Sequence, residues 1–438
     1  MIKKLNLLLV LLLSVGLSQA QEIEYEQYEL DNGLDVILHQ DNSVPVVTVG
    51  VMYHVGAKDE ESDRSGFAHF FEHLLFEGTE NIERGEWFDI VAANGGKNNA
   101  NTTQDRTYYY ETFPSNNLEL GLWMESERML HPVINQVGVD TQNEVVKEEK
   151  RTRYDNRPYG KILNAATSPL FDKHPYKESV IGKMEDLDAA QLKEFKKFFD
   201  KYYIPNNATL VVAGDVKKAE TKKMIENYFG PIQKGEAIDR VDIEEDPITE
   251  TIEATEYDSN IQIPVKMFSY RTPSMKDRDA YVLDMISTLL TGGKSSRMYK
   301  RMVDEEKIAL QVLAFARSQE DYGIYNVGAL ALNDTPLSKL ATVMDEEVEK
   351  VKTELISEKE YQKLQNKFEN QFVNSNSSIQ GIASSLATYH VLYGDTELIN
   401  KEIEIYKDIT REDIRDVAKK YLQKDKRLEL DYLPESNK

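Results

Sequence analysis

The sequence predicts an α+β protein built from two homologous domains. Three observations carry this: strand and helix patterns recur in the same order in both halves, the halves end alike, and 438 residues exceed what one hydrophobic core usually serves. The shared ending is a helix, an aromatic or apolar pair and an apolar strand, over Gln191–Val212 and again over Thr410–Tyr432. Between them, Gly235–Glu250 is acidic and lacks a core pattern, so a linker is assigned to 233–250, with domains at 21–232 and 251–438.

Residues 1–20 read as a secretory signal peptide: Lys3 and Lys4, an apolar run from Leu7 to Leu13, then Ser18-Gln19-Ala20. That run is too short for a membrane span, and no later segment comes close. The mature chain is therefore expected to be exported, without a membrane span. It contains no cysteine, so its stability must come from packed cores and any metal bound. A formal net charge of −23 argues against nucleic acid and anionic membranes as partners.

Along the first half, the Asn32-Gly33 turn precedes strand Leu34–Leu38, and a second strand follows over Val46–Tyr53. Next comes a short helix around residues 67–75, with Ser65 as expected N-cap and Gly78 as stop. Helices are then predicted over Ile82–Ala93, Leu118–Leu130, Thr141–Tyr154 and Ala189–Lys201, with strand Thr209–Ala213 closing the unit. Asn98–Arg106 is polar, whereas Thr107–Phe113 is rich in aromatic and β-branched residues and reads as a strand. In the second half the order is strand Ile263–Ser269, helix Asp279–Leu290, strands Ala309–Ala316 and Gly323–Leu332, then helices Leu337–Leu355 and Glu358–Asn374.

The short helix carries the chemistry. Residues 69–73 read His-Phe-Phe-Glu-His, which sets His69 and His73 four apart on one helical face with Glu72 beside them. Phe67, Phe70, Phe71, Leu74 and Leu75 supply an apolar surface that anchors the helix. Neutral imidazole suits zinc, and a catalytic zinc site takes three protein ligands and a water. Glu72 is placed to accept that water's proton. H-x-x-E-H is a known zinc-peptidase signature. Spacing alone leaves the third ligand open among Glu144, Glu148 and Glu149 on helix 141–154; adjacent helical positions lie about 100° apart, so Glu148 and Glu149 cannot both face the metal. The other histidines, His39, His54, His131, His174 and His390, lack ligand spacing, and Gly292-Gly293-Lys294-Ser295 lacks the spacing of a phosphate loop.

The stretch Gly66–Thr79 closely resembles the signature of the peptidases that include pitrilysin, insulysin and the mitochondrial processing peptidase. Further matches are Gly95-Gly96 with Asn99-Ala100 and Thr102, Val145–Glu149, Pro205–Thr209 and Gly292–Arg297. The resemblance implies antiparallel-rich sheets with helices packed on them, one zinc ion per chain, and Glu149 as third ligand. It implies that the edge of strand Thr107–Phe113 pairs with the substrate backbone, with Asn99 and Ala100 as substrate-binding residues beside it. It also marks Gln142, where relatives carry an acid, as a residue supporting the ligands. Relatives with complete sites have an arginine followed seven residues later by a tyrosine, at positions held here by Val303 and Leu310. The resemblance therefore implies an exported zinc endopeptidase of periplasmic type acting on extended peptides. Its partner would be a paralogous subunit supplying the Arg/Tyr pair, or a second copy of itself. The alternative is a non-catalytic chamber subunit of the same fold.

Overall fold

A computed structural model describes residues 22–437, and the signal peptide expected over 1–20 lies outside them. Six strands come from the first half: β1 (Glu26–Glu29), β2 (Asp35–Gln40), β3 (Val46–Tyr53), β4 (Lys97–Thr102), β5 (Thr107–Pro114) and β6 (Ala208–Gly214). They form one sheet in the order β1-β2-β6-β3-β5-β4. The second half supplies β7 (Ile252–Asp258), β8 (Val265–Thr272), β9 (Ala309–Arg317), β10 (Gly323–Ala331) and β11 (Leu428–Pro434), in the order β7-β11-β8-β10-β9. Without β1 the two orders superpose strand for strand. Each sheet has one parallel pair, β2 with β6 and β7 with β11, among antiparallel neighbours. The duplicated, antiparallel-rich α+β architecture is thus present.

The helices of the first half are α1 (Phe67–Leu74), α2 (Trp87–Ala93), α3 (Leu118–Leu130), α4 (Gln136–Lys150), α5 (Ile162–Thr167), α6 (Met184–Ala189), α7 (Leu192–Tyr202) and α8 (Lys218–Phe229). Those of the second half are α9 (Arg278–Thr291), α10 (Leu337–Thr353), α11 (Glu358–Ser375), α12 (Ile379–Thr388), α13 (Leu398–Asp408) and α14 (Arg411–Tyr421). Among the described residues no helix is long and apolar enough to cross a membrane.

Each sheet packs one face on its own helices and lends the other face to the opposite half. On the first sheet, Ile37, Met52, Val211 and Ala213 bury against Ile379, Ile382, Ala383 and Leu386 of α12. On the second, Met267, Leu430 and Tyr432 bury against Ala166 of α5, while Ile324 and Leu428 meet Leu170, Phe171 and Tyr176. Removing these apolar faces from water couples the halves through the hydrophobic effect.

Residues 233–250 contain no helix or strand, but they are strapped down rather than loose. The Glu245 carboxylate accepts hydrogen bonds from the backbone N–H groups of Asp172, Lys173 and His174 at 3.0, 2.7 and 2.6 Å. Arg240 pairs with Asp59 at 2.7 Å.

Several predicted boundaries move. The helix expected over 82–93 begins only at Trp87, because Thr79 and Asn81 tie the preceding turn to the carboxylate of Glu127. Residues 97–102, read as merely polar, form β4. Three asparagines disfavour a strand intrinsically, and pairing along the full length of β5 overrides that preference.

Candidate metal centre

Helix α1 is short and needs external support. Its N-cap is Gly66 in the left-handed conformation (φ 94°), not Ser65. Ser65 instead accepts the Lys183 N–H and donates its hydroxyl to Asp186. The exposed amides of the first turn are satisfied from a distance, since Glu60 accepts from Gly66 N–H (2.7 Å) and Ala68 N–H (2.8 Å).

One face of α1 packs into an aromatic cluster. Phe67 stacks on Phe195 at 4.6 Å, and Phe71 meets Phe198 and Tyr203 at 5.4 and 5.2 Å. The Tyr109 hydroxyl donates to the Phe71 carbonyl. Below the C-terminal end, the fully buried Arg128 donates to the Leu75 carbonyl at 2.8 Å. Its guanidinium pairs with Glu111 and Glu125 and lies over the rings of Phe76, Trp87 and Tyr109 at 4.0–4.4 Å. Nothing in the periodicity of α3 marks Arg128 as a core residue; only three apolar rings around one cation reveal it.

With α1 fixed in this way, His69 and His73 project toward α4. His73 Nε2 lies 3.1 Å and His69 Nε2 3.8 Å from Glu149 Oε2. The ligand atoms of all three residues fall within 4.8 Å of one another. The two alternatives on α4 face water: the side chains of Glu144 and Glu148 are 70% and 68% exposed, against 13% for Glu149. The other Glu149 oxygen pairs with Arg153 at 2.6 Å.

Burial, reinforced by His73, pulls the His69 imidazole down to about 4, so it is a neutral donor at pH 7. The Glu149 carboxyl is lowered, chiefly by its hydrogen bond with His73, and stays ionised. Two imidazole nitrogens and one carboxylate oxygen converging on a single point is the donor chemistry of a divalent transition metal. Glu72 is not part of this cluster. Burial raises its carboxyl above the ordinary range, and the Thr102 hydroxyl donates to its Oε2 at 2.7 Å.

His69, Glu72, His73 and Glu149 open into one cavity of about 530 Å³. Asn99 and Ala100 also line it, from β4. That strand ends the sheet, so its outer edge is unpaired among the described residues. The strand expected over 107–113 is β5, which lies inside the sheet between β3 and β4 and has no free edge. Gln142 sits elsewhere: its amide donates to Glu77, and His69 Nδ1 is buried without a hydrogen-bond partner among the described residues. Val303 and Leu310 do not line the cavity; Leu310 is exposed on β9. The cavity wall includes a residue the sequence pattern did not single out, Arg317, from the end of β9.

A duplicated α+β scaffold that clusters two histidines and a glutamate beside an open strand edge defines the class of metallopeptidase-like proteins. More specifically, the chain belongs to the insulinase family, peptidase family M16: that family matches residues 35–183, and the M16 inactive domain matches residues 189–368. Zinc protease PqqE of Helicobacter pylori is 29% identical over 433 residues, covering 96% of each chain. Uncharacterized zinc protease YmxG of Bacillus subtilis is 22% identical over 92% of this chain and 97% of its own length. The crystal structure of a protease from Helicobacter pylori superposes with a TM-score of 0.89 at 28% identity, covering 94% of this chain and all of the other. The first half of the periplasmic protease PqqL from Escherichia coli shares the fold, with a TM-score of 0.78 at 19% identity over 94% of this chain and 92% of that one.

Proposed function

We propose that this protein is an exported, periplasmic-type zinc endopeptidase that cleaves extended peptides or small unfolded segments. Its ligands would be His69, His73 and Glu149, and Glu72 its general base. One observation supports this best: the three ligand atoms lie within 4.8 Å of one another, in the cavity that also holds Glu72 and the edge strand β4. When bound there, a zinc ion would polarise the scissile carbonyl and lower the pKa of a water to about 7.

The chain's own groups do the rest. The unpaired edge of β4 offers backbone N–H and C=O groups to an extended peptide, which suits varied sequences because main-chain hydrogen bonds do not read side chains. Asn99 and Ala100 lie on that strand and flank the bound segment. Burial raises the Glu72 carboxyl above its ordinary range, which makes it a better proton acceptor; it takes a proton from the attacking water and returns it to the leaving amine. The Thr102 hydroxyl holds Glu72 in orientation. Residues 21–232 form the metal-bearing unit, 233–250 the connecting strap and 251–438 the homologous unit without metal. Val303 and Leu310 stand where the resemblance implies arginine and tyrosine, so the active form would be a heterodimer whose paralogous subunit supplies that pair, with a homodimer as the alternative.

Glu72→Gln tests the reading. The variant should keep its zinc and lose about 10³-fold or more in kcat. Peptide hydrolysis at the wild-type rate by Glu72→Gln, or insensitivity of the wild type to a chelator, would remove the mechanism.

A further inference from the structure

The metal cavity is not lined by the first half alone. Arg317 ends β9 of the second half and reaches the wall that holds His69, Glu72 and Glu149. Its side chain is half-buried, yet its guanidinium donates no hydrogen bond and pairs with no carboxylate among the described residues. The other arginine in this wall, Arg153, is already spent on Glu149. Burial lowers the Arg317 pKa, and the more distant Tyr154, Asp105 and Tyr176 side chains only partly oppose this. A desolvated cation with five unspent donors is a costly group to keep, and a full anion compensates it far better than a neutral carbonyl.

The turn that carries Arg317 is held rigidly by a polar latch between the halves. Lys58 reaches Glu320 at 2.9 Å, Asp321 at 2.8 Å and Asp105 at 3.4 Å. His54 meets Glu320 at 2.7 Å, and the backbone N–H of Glu320 donates to Asp105. The Tyr176 hydroxyl accepts from the Asp321 N–H, and His174 lies 3.3 Å from Asp321. Each acid beside the turn thus has a partner in the first half. Arg317, three residues from Glu320, is left free to face the cavity.

We infer that Arg317 recognises an acidic side chain of the peptide substrate near the scissile bond, making it a specificity residue contributed by the second half. This rests on the peptidase reading above. A planar guanidinium takes a carboxylate through two parallel hydrogen bonds, whereas the isosteric amide of glutamine satisfies only part of the fork and none of the charge.

The test measures binding as well as turnover. Full-length Glu72→Gln protein, zinc-loaded and with its partner subunit where activity requires one, is titrated with fluorescent peptides that differ only by Glu or Gln at each position flanking the cleavage point. At one position the Glu peptide should bind about tenfold tighter, a ratio that Arg317→Gln in the same background brings close to one and Arg317→Lys partly retains. Circular dichroism melts and zinc content accompany each variant to show that it is folded and loaded. A Glu preference that survives Arg317→Gln, the lack of any preference in the parent, or an equal loss of affinity for both peptides would each overturn the assignment. Failure of the peptidase reading looks different: the wild type would then cleave neither peptide in a chelator-sensitive manner, and the inference would fall with it.

Discussion

Helices α1 and α9 occupy the same place in the two halves. Along the chain each lies between the second and third of the five shared strands, α1 between β3 and β4 and α9 between β8 and β9. Both pack an apolar face on their sheet, but α1 spends its remaining face on His69, Glu72 and His73, while α9 has no histidine at all. Its one acid beyond the first turn is Asp284, which faces Tyr406 at 3.4 Å rather than any cluster of nitrogen donors. The match of the second half to an inactive domain agrees with this. The two halves share a scaffold, and among the described residues only the first carries a cluster of metal-ligand type, so the fold does not dictate the site.

The largest difference between the halves should appear on removing a ligand. His73→Ala or Glu149→Ala is expected to abolish stoichiometric zinc binding and hydrolysis together, while Asp284→Ala leaves zinc content at one per chain, as read by metal analysis. Zinc loss on changing Asp284 would break the comparison.

A smaller difference separates the two buried arginines. Arg128 is fully enclosed with Glu111 and Glu125, both equally buried. Arg128→Met strands two carboxylates without water and should cost about 3–5 kcal/mol in denaturant melts, together with weaker zinc retention, because the Leu75 carbonyl at the end of α1 loses its donor. Arg427 is just as buried, but Asp345 and Glu429 keep 23% and 19% of their side-chain surface. Arg427→Met should therefore cost less, about 1–2 kcal/mol, and leave zinc retention unchanged. Equal losses would mean that the core under α1 has no special role.

The effect confined to part of the pH range concerns Asp284, whose carboxyl burial pushes up to about 7. Above its unfolded value of about 4 the folded form holds a proton that the unfolded chain releases, so this group makes stability fall as pH rises from about 4 to about 7 and contributes a constant penalty beyond. Asp284→Asn should gain stability at pH 8, up to a ceiling of about 4 kcal/mol set by that rise, and nothing near pH 4. A gain of the same size at both pH values would contradict that origin.

How much of this was legible in the sequence depended on whether the signal was local. The His69–His73 pair and the repeated strand and helix order are periodic, so they could be read directly. The choice of Glu149 over Glu144 and Glu148 needed the resemblance, because the helix offers these acids on two different faces and only packing against α1 decides which face looks inward. Strand β4 was hidden by its asparagines, and the open edge was consequently sought at β5. The exchange of α12 and α5 between sheets was invisible, since an apolar helix face does not say which sheet it covers. Arg317 was missed for the same reason: it lies far from the motif in sequence and reaches the cavity only through a contact between halves.

One ion held by three side chains of the first half is what the proposed chemistry requires. Anomalous diffraction at the zinc edge, from crystals of the purified wild-type protein, tests this most directly. A single strong peak within bonding distance of His69, His73 and Glu149 is predicted, with none near α9. No peak at those three residues in zinc-replete protein, or a peak located elsewhere, would contradict it.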